Sequence, residues 1–248
     1  MKKIYTAVLI ALATLFTAAA ADAPLSAEEF LANVRHPWGQ QNYAKLSGEI
    51  RHRRAGTPTE YSEIYLGILM MQNMRSSQLI IDDGESYRIG QSYTSGDQGS
   101  TVIPAREGGY PESILNYYGV RPEDLAMSFL YWSMVKEEKK QTMRTISCRV
   151  FLLKDQQSGE AARVFIAEKY FFPIKVEFFA SADDLSTPLR TMEVESFEQT
   201  EDEFWVPTEL KLHGKKDGKA WRTMVVFKQV EAKVYDPAAP PYGLFREI

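Results

Sequence analysis

The stretch Val164–Phe179 reads VFIAEKYFFPIKVEFF and contains two apolar runs separated by charged residues and a proline. Apolar side chains recur at every second position in both runs, which is typical of strands with one buried face. The positions on that face are Val164, Ile166, Ile174, Val176 and Phe178. We therefore predict an antiparallel hairpin, with Arg163–Ala167 paired to Ile174–Phe179 across a turn.

The same pattern continues on both sides of this hairpin. Runs rich in Ile, Leu, Val and Tyr, separated by short turns, cover much of the chain. They are Leu46–Arg54, Tyr61–Met71, Gln78–Asp82, Ser86–Ile89, Ile146–Leu152, Arg190–Phe197, Phe204–Leu212 and Ala220–Val230. Together the runs predict about nine to eleven strands in antiparallel hairpin order. The polar, glycine-rich stretch Gly90–Gly109 is predicted to be a loop.

Helical signals are few and short. Ser26 and Glu29 form a capping-box pattern, which predicts a helix over Ala27–Arg35. Pro111 and Pro122 each begin a further short helix, because proline is favoured at the first helical position. An antiparallel sheet of this length cannot leave a wide apolar face in water. A strongly curved sheet whose open side is covered by short helices would bury this face with the predicted elements. We therefore predict the fold class α+β.

The N-terminus has the three parts of a signal peptide. Lys2 and Lys3 precede the apolar stretch Ile4–Phe16, and small residues follow at Ala18–Ala21. We predict export with removal of residues 1–21, and no lipid anchor, since no cysteine lies near the cut. No second apolar stretch approaches membrane-spanning length. The remainder is predicted to form one domain, residues 22–235, followed by a proline-rich C-terminal tail, residues 236–248.

Catalytic signals are missing from the sequence. His36, His52 and His213 lack the spacing of metal ligands and are expected to be exposed or half-exposed. Cys148 is expected on the apolar side of a strand, as a small hydrophobe. No phosphate-binding glycine loop, dinucleotide fingerprint or nucleophile elbow occurs. We therefore predict no enzyme, no cofactor and no metal, and the net charge of −4 argues against a nucleic-acid partner.

Two features allow alternative interpretations. The basic run Arg51–Arg54 could contact anionic lipid headgroups, or it could serve solubility at a hairpin end. The apolar interior could enclose a ligand, as barrels of modest strand number often do, or it could be a filled core.

The order of the elements is informative in itself. An export signal, an N-terminal helix, hairpins and a helical insertion precede a meander of long strands. The segments that carry this pattern most clearly are Pro122–Trp132, Thr145–Leu152, Val164–Phe179, Met192–Phe197 and Phe204–Leu210. In these segments the chain resembles the outer-membrane lipoprotein-sorting proteins, periplasmic carriers with the LolA and LolB fold, over about residues 27–233. The resemblance implies an incomplete antiparallel β-barrel with short helices as a lid or plug.

The resemblance also implies a function. It indicates a non-catalytic periplasmic carrier, expected to be monomeric, that binds acyl chains of lipoproteins or free lipid in an apolar cavity. Such a carrier takes part in lipoprotein sorting and passes its cargo to an inner-membrane or outer-membrane partner. The implied cavity-wall and lid positions are Phe129, Leu130, Trp132, Ile50, Ile68, Cys148, Val150, Ile166, Val176, Phe178, Val194 and Leu210. The alternative is an envelope sensory or interaction module of the same fold that binds a protein partner.

Overall fold

The computed structural model describes residues 24–36, 41–82, 84–93, 100–239 and 241–247, which form a 12-stranded antiparallel sheet with a few short helices. The predicted signal peptide lies outside the described residues. The strands in chain order are β1 (Asn42–Arg54), β2 (Glu60–Met70), β3 (Met74–Ile81), β4 (Glu85–Ser92), β5 (Thr101–Pro104), β6 (Ser133–Met143), β7 (Ile146–Lys154), β8 (Ala161–Ala167), β9 (Phe172–Phe179), β10 (Arg190–Gln199), β11 (Trp205–Lys216) and β12 (Lys219–Val234).

The strands form two meanders that meet at the middle of the sheet. Their order is β5-β4-β3-β2-β1-β12-β11-β10-β9-β8-β7-β6, so the first and last strands are central neighbours. Their pairing runs from Asn42 opposite Val234 to Arg54 opposite Trp221. In the described part of the chain, the edge strands β5 and β6 do not pair with each other. The sheet is therefore an open one, as the predicted incomplete barrel requires.

The sheet wraps around a segment of short helices, residues 113–132. This segment contains α2 (Ile114–Tyr117), α3 (Pro122–Leu125) and the 3₁₀ helix Ser128–Tyr131. Its side chains and carbonyls contact both wings of the sheet. The partners are Ser62 on β2, Glu85 on β4, Phe178 on β9, Arg190 on β10 and Thr223 on β12. One short segment can reach all of these strands only because the sheet is strongly curved.

Helix α1 (Ala27–Arg35) begins where the sequence predicts. Ser26 Oγ accepts a hydrogen bond from Glu29 N, and the Glu29 carboxylate accepts one from Ser26 N. The two bonds satisfy backbone donors that the first helical turn otherwise leaves free. The buried face of α1 includes Phe30, whose ring stacks on Phe151 of β7 at 5.8 Å between centroids. The helix is thereby held against the concave side of the sheet.

The two edge strands were not predicted. β5 lies within Gly90–Gly109, so the prediction of a continuous loop is wrong there, and β4 also extends into it. β6 includes the charged run Lys136–Lys140 and has few apolar positions to reveal it. Charge on an edge strand discourages pairing with other chains, which explains why β6 lacks the usual alternation.

A β-bulge changes which residues of the Val164–Phe179 hairpin face the core. Phe165 pairs with Lys175 and Ile166 pairs with Pro173, so Ile174 is the extra residue of the bulge. Ile174 consequently leaves the main core and joins a separate apolar cluster. Its predicted place beside Val176 is wrong, although Val164, Ile166 and Phe178 do belong to the main core.

The same separate cluster holds Cys148 and Val150 of β7. Phe151 and Leu153 occupy the inner face of this strand, and successive strand residues point to opposite faces. Cys148 and Val150 therefore lie on the outer face, away from the concave side where they were predicted to form a cavity wall. Both faces of β7 are apolar, so alternation alone could not distinguish inside from outside.

Residues 242–246 of the C-terminal tail lie on the outer face of the sheet. Tyr65 Oη donates a hydrogen bond to the Leu244 carbonyl at 2.6 Å. Gln78 and the Arg246 backbone exchange two hydrogen bonds, of 2.9 and 2.7 Å. These bonds fix the tail across β2 and β3.

Candidate functional site

A cavity of about 430 Å³ opens on the concave side of the sheet. Its floor is formed by the inner faces of the central strands β2, β1, β12 and β11. Its roof is formed by the C-terminal half of α1 and by the 3₁₀ helix. The volume is within the range of roughly 300–1,000 Å³ that is usual for small-molecule sites.

Most of the cavity wall is apolar. Leu46, Leu66 and Leu210 contribute from the central strands. Ala44 pairs with Ala232 across β1 and β12, and both line the cavity. Because both side chains are small, the cavity is deeper at this point. The space above these two small side chains is where an elongated apolar ligand can lie.

Aromatic side chains form one end of the cavity. Phe171 and Phe172, at the start of β9, and Phe204, before β11, are each half-buried there. Tyr170 meets Trp205 edge to face at 5.0 Å between ring centroids. Because these rings are only half-buried, this end of the cavity presents apolar surface near solvent.

The opposite end of the cavity is polar. Asn42 on β1 and Arg75 on β3 are each 7% exposed and line this end together with Tyr131. Asn42 and Arg75 lie in one row across the sheet, because Met70 on the intervening strand β2 pairs with both. The cavity is therefore amphipathic, with a cation and amide at one end and aromatic rings at the other.

The roof is held together by Arg35, at the end of α1. Arg35 Nε donates to the Leu130 carbonyl at 2.6 Å, and Nη2 donates to the Trp132 carbonyl at 2.9 Å. Tyr131 Oη returns a bond of 2.7 Å to the Arg35 carbonyl. Burial lowers the pKa of Arg35 from its usual value, and the guanidinium remains charged. Three hydrogen bonds thus connect the two halves of the roof.

The other half of the concave face is filled by α2, α3 and their contacts. Arg190 on β10 forms a bidentate pair with Asp124 of α3 at 2.9 and 2.8 Å, and it also donates to Glu160 at 2.8 Å. All three side chains are at least nine-tenths buried. The Arg190 guanidinium also lies 3.9 Å from the centroid of the Phe178 ring. This network ties the segment of residues 113–132, which we call the plug, to the sheet.

The predicted cavity residues consequently separate into three groups. Ile68, Leu130 and Leu210 line the cavity. Trp132 packs against the main core beside the cavity. Six further residues belong to that core: Ile50, Phe129, Ile166, Val176, Phe178 and Val194. Cys148 and Val150 lie on the outer face. For the residues of the first two groups, a lipid-contacting role stays a prediction.

His52 is buried rather than exposed, with 1% of its surface accessible, which corrects the expectation for this residue. Its ring stacks on Tyr118 at 4.7 Å, and Nδ1 lies 2.8 Å from Thr223 Oγ1. Thr223 donates its own proton to the Tyr118 carbonyl and Arg54 donates to His52 Nε2, so the ring is neutral with its proton on Nδ1. Burial, reinforced by Arg54, lowers the pKa of His52.

The basic run Arg51–Arg54 is partly used within the fold. The guanidinium of Arg51 pairs with Glu49, and that of Arg54 lies 3.9 Å from the Tyr117 ring centroid. His52 is buried, and Arg53 is exposed. The run therefore presents less free positive charge than its sequence suggests.

The most unusual residues of the cavity carry no clear signal in the sequence. Arg75 sits in a serine-rich strand start and reads as an ordinary surface cation. Ala44 and Ala232 are too small to mark a cavity by pattern, since their effect depends on which strands become neighbours. Phe171 and Phe172 were assigned to a turn, but their rings close one end of the cavity.

The described residues include neither a cluster of metal ligands nor a helix suited to crossing a membrane. They contain no cluster of three or more His, Cys, Asp or Glu side chains that could hold a metal ion. None of their helices has the length and hydropathy needed to cross a membrane. The Cys148 thiol is buried, and burial raises its pKa, which disfavours the reactive thiolate.

Solved structures share this arrangement over most of both chains. A DUF1329 family protein from Desulfovibrio piger has a TM-score of 0.60 at 10% identity, covering 85% of this chain and 92% of its own. A domain assigned to outer-membrane lipoprotein sorting, from Vibrio parahaemolyticus, has a TM-score of 0.58 at 15% identity, covering 82% and 89%. A LolA superfamily protein from Nitrosomonas europaea has a TM-score of 0.51 at 14% identity, covering 86% and 94%.

The chain has the LolA fold. The predicted resemblance to lipoprotein-sorting proteins is confirmed at the level of fold. No family model and no curated protein matches the sequence. The cargo and the partners must therefore be inferred from the cavity.

Proposed function

We propose that the protein is a non-catalytic carrier of the periplasm that holds an acyl chain in the cavity beneath α1 and the 3₁₀ helix. The observation that carries this proposal is the cavity itself, about 430 Å³ of mostly apolar space on the concave face. Its size is near the lower end of the usual range for small-molecule sites and suits one chain better than several. The predicted signal peptide and the shared fold of a lipoprotein-sorting domain support the compartment and the cargo class.

Burial of the chain supplies the binding energy. Each methylene removed from water contributes about 0.8 kcal/mol, so roughly ten buried methylenes yield about 8 kcal/mol before the entropy cost of association. Release then requires that the cavity open. The three hydrogen bonds between α1 and the 3₁₀ helix are the contacts that must break if the roof moves. We propose that hand-over to a membrane partner is coupled to that opening.

The test is to fill the cavity without disturbing the core. Ala232→Phe places a ring in the empty space above the β1–β12 floor, whereas Ala220→Phe adds the same ring at an exposed position of β12. An uncharged fluorescent fatty-acid ester is titrated into delipidated protein. We expect at least tenfold weaker binding for Ala232→Phe, unchanged binding for Ala220→Phe, and similar far-UV circular dichroism for both.

Native mass spectrometry of protein purified from the periplasm supplies the second readout. The proposal expects retained lipid in the wild type and less in Ala232→Phe. An empty wild-type protein that also fails to bind the ester would refute the carrier function. Cross-links in cells to a membrane protein, together with that result, would favour the interaction module instead.

A further inference from the structure

We propose that Arg75 forms an anion-binding subsite at the polar end of the cavity, which recognises the carboxylate or phosphate headgroup of a single-chain amphiphile. This inference rests on the carrier function proposed above and specifies its ligand class. Arg75 is 7% exposed, lines the cavity and belongs to β3.

In the part of the chain that the structure describes, Arg75 differs from the other buried arginines in its lack of a carboxylate partner. Arg149 pairs with Glu137, and Arg190 pairs with two carboxylates. Among residues 24–36, 41–82, 84–93, 100–239 and 241–247, no carboxylate forms an ion pair with Arg75. Within the same residues, Arg75 Nε has no hydrogen-bond acceptor.

An uncompensated buried charge is costly, and proteins normally pair it or keep it near water. Within the described ranges, the other buried guanidinium groups have carboxylate partners, whereas that of Arg75 faces a cavity. A bound anion would complete the site. The planar guanidinium suits this task, because its fork of donors binds a carboxylate or phosphate through two parallel hydrogen bonds.

The polarity of the cavity decides what kind of anion fits. Successive inward rows of β1, β2 and β3 change from polar to apolar along the strands. The first row holds Asn42, Met70 and Arg75, the second Ala44, Ile68 and Ser77, and the third Leu46, Leu66 and Leu79. Rows two residues apart are about 7 Å apart. A headgroup at Arg75 therefore directs an attached chain toward the apolar rows and the aromatic end.

Neighbouring polar groups can complete the contact. Asn42 and Tyr131 line the same end of the cavity as Arg75. The Asn42 amide carries N–H donors of the kind that a carboxylate or phosphate accepts, whereas the Tyr131 O–H already donates to the Arg35 carbonyl. A small inorganic anion alone would leave the apolar rows empty, so the geometry favours an amphiphile.

The experiment compares headgroups on one chain length. Palmitate, hexadecyl phosphate and the uncharged methyl palmitate compete with a neutral fluorescent alkyl probe for the delipidated protein. Hydrogen bonds to a charged group predict that the wild type binds the two anions about 10- to 100-fold more tightly than the ester. Equal preference for both anions indicates a general anion site, and a difference between them identifies the headgroup.

Arg75→Met removes the guanidinium and keeps approximately the length of the arginine stem. We expect it to lose the anion preference, so that palmitate and methyl palmitate bind within about threefold of each other. Arg75→Lys should retain part of the preference, and Arg53→Met, an exposed control, should retain all of it. The melting temperature of Arg75→Met should not fall, because an apolar side chain replaces a buried charge that has no carboxylate partner among the described residues.

The outcomes separate the two proposals. Equal binding of palmitate and methyl palmitate by the wild type, or an unchanged preference in Arg75→Met, would overturn the headgroup site and leave the carrier function standing. Failure of the wild type to bind any of the three amphiphiles would overturn both.

Discussion

Replacement of Arg190 by methionine tests whether the plug and the sheet act as one cooperative unit. Methionine approximates the length of the arginine stem but removes the guanidinium. Asp124 then loses both hydrogen bonds from Arg190, and Glu160 keeps only its pair with the more exposed Arg121. The change leaves a carboxylate buried at 3% exposure with no cationic side chain beside it among the contacts described above.

The magnitude follows from the burial of the network. Removal of one partner of a buried ion pair costs about 3–5 kcal/mol, because the remaining charge stays out of water. For a domain of about 150–250 residues, each kcal/mol lowers the melting temperature by about 2–4 °C, so Arg190→Met should lower it by about 6–20 °C. Loss of the cation–π contact with Phe178 acts in the same direction.

The assay is thermal and urea unfolding followed by circular dichroism. Arg163→Met is the matched control, because Arg163 pairs with Glu138 and Glu177 but is 22% exposed and should cost no more than about 1 kcal/mol. The double variant Arg190→Met with Asp124→Leu should recover most of the loss, since an apolar pair can replace a buried ion pair. Equal losses for Arg190→Met and Arg163→Met would refute the reasoning.

Three further predictions concern other parts of the fold. Gly48→Ala should destabilise the protein by about 1–3 kcal/mol in urea unfolding, because its Cβ would lie 1.9 Å from the Val226 carbonyl oxygen; Gly90→Ala, with open space around it, should be nearly neutral. Burial lowers the pKa of His52, so the stability of the protein should decline as pH falls below about 6.5. His52→Gln should weaken the pH dependence of the urea concentration at the unfolding midpoint, and an unchanged pH dependence would contradict this prediction. Cys148 should react with a thiol reagent only after denaturation, and rapid labelling of the native protein would show that the outer cluster is open.

The central strands and α1 could be predicted from sequence because their local signals agree with their final environment. The capping box of Ser26 and Glu29 begins α1 as predicted. The Val164–Phe179 hairpin also forms, but its bulge at Ile174 shifts one residue to the other face. No local signal except Pro173, which cannot donate to the ladder, hints at this irregularity.

The cavity itself could not be predicted from pattern. Phe178 and Leu210 are both apolar residues that point toward the core from their strands. Phe178 nevertheless lies in the filled half of the concave face, whereas Leu210 lines the open half. Which half is filled depends on where residues 113–132 dock, and that is decided by long-range pairs such as Asp124 with Arg190. The role of Arg75 is equally non-local, since only the assembled sheet shows which charges lack a partner.

The central position of β1 and β12 affects the order in which the molecule can fold. These strands are separated by more than half of the chain, and β12 is the last strand to be made. Loop-closure entropy makes such distant pairing slow. A chain that crosses a membrane N-terminus first can form its early hairpins, but the sheet cannot be joined until the last strand emerges. On the proposed export route, we expect the chain to depend on protection from aggregation until that moment, with the floor of the cavity among the last parts to form.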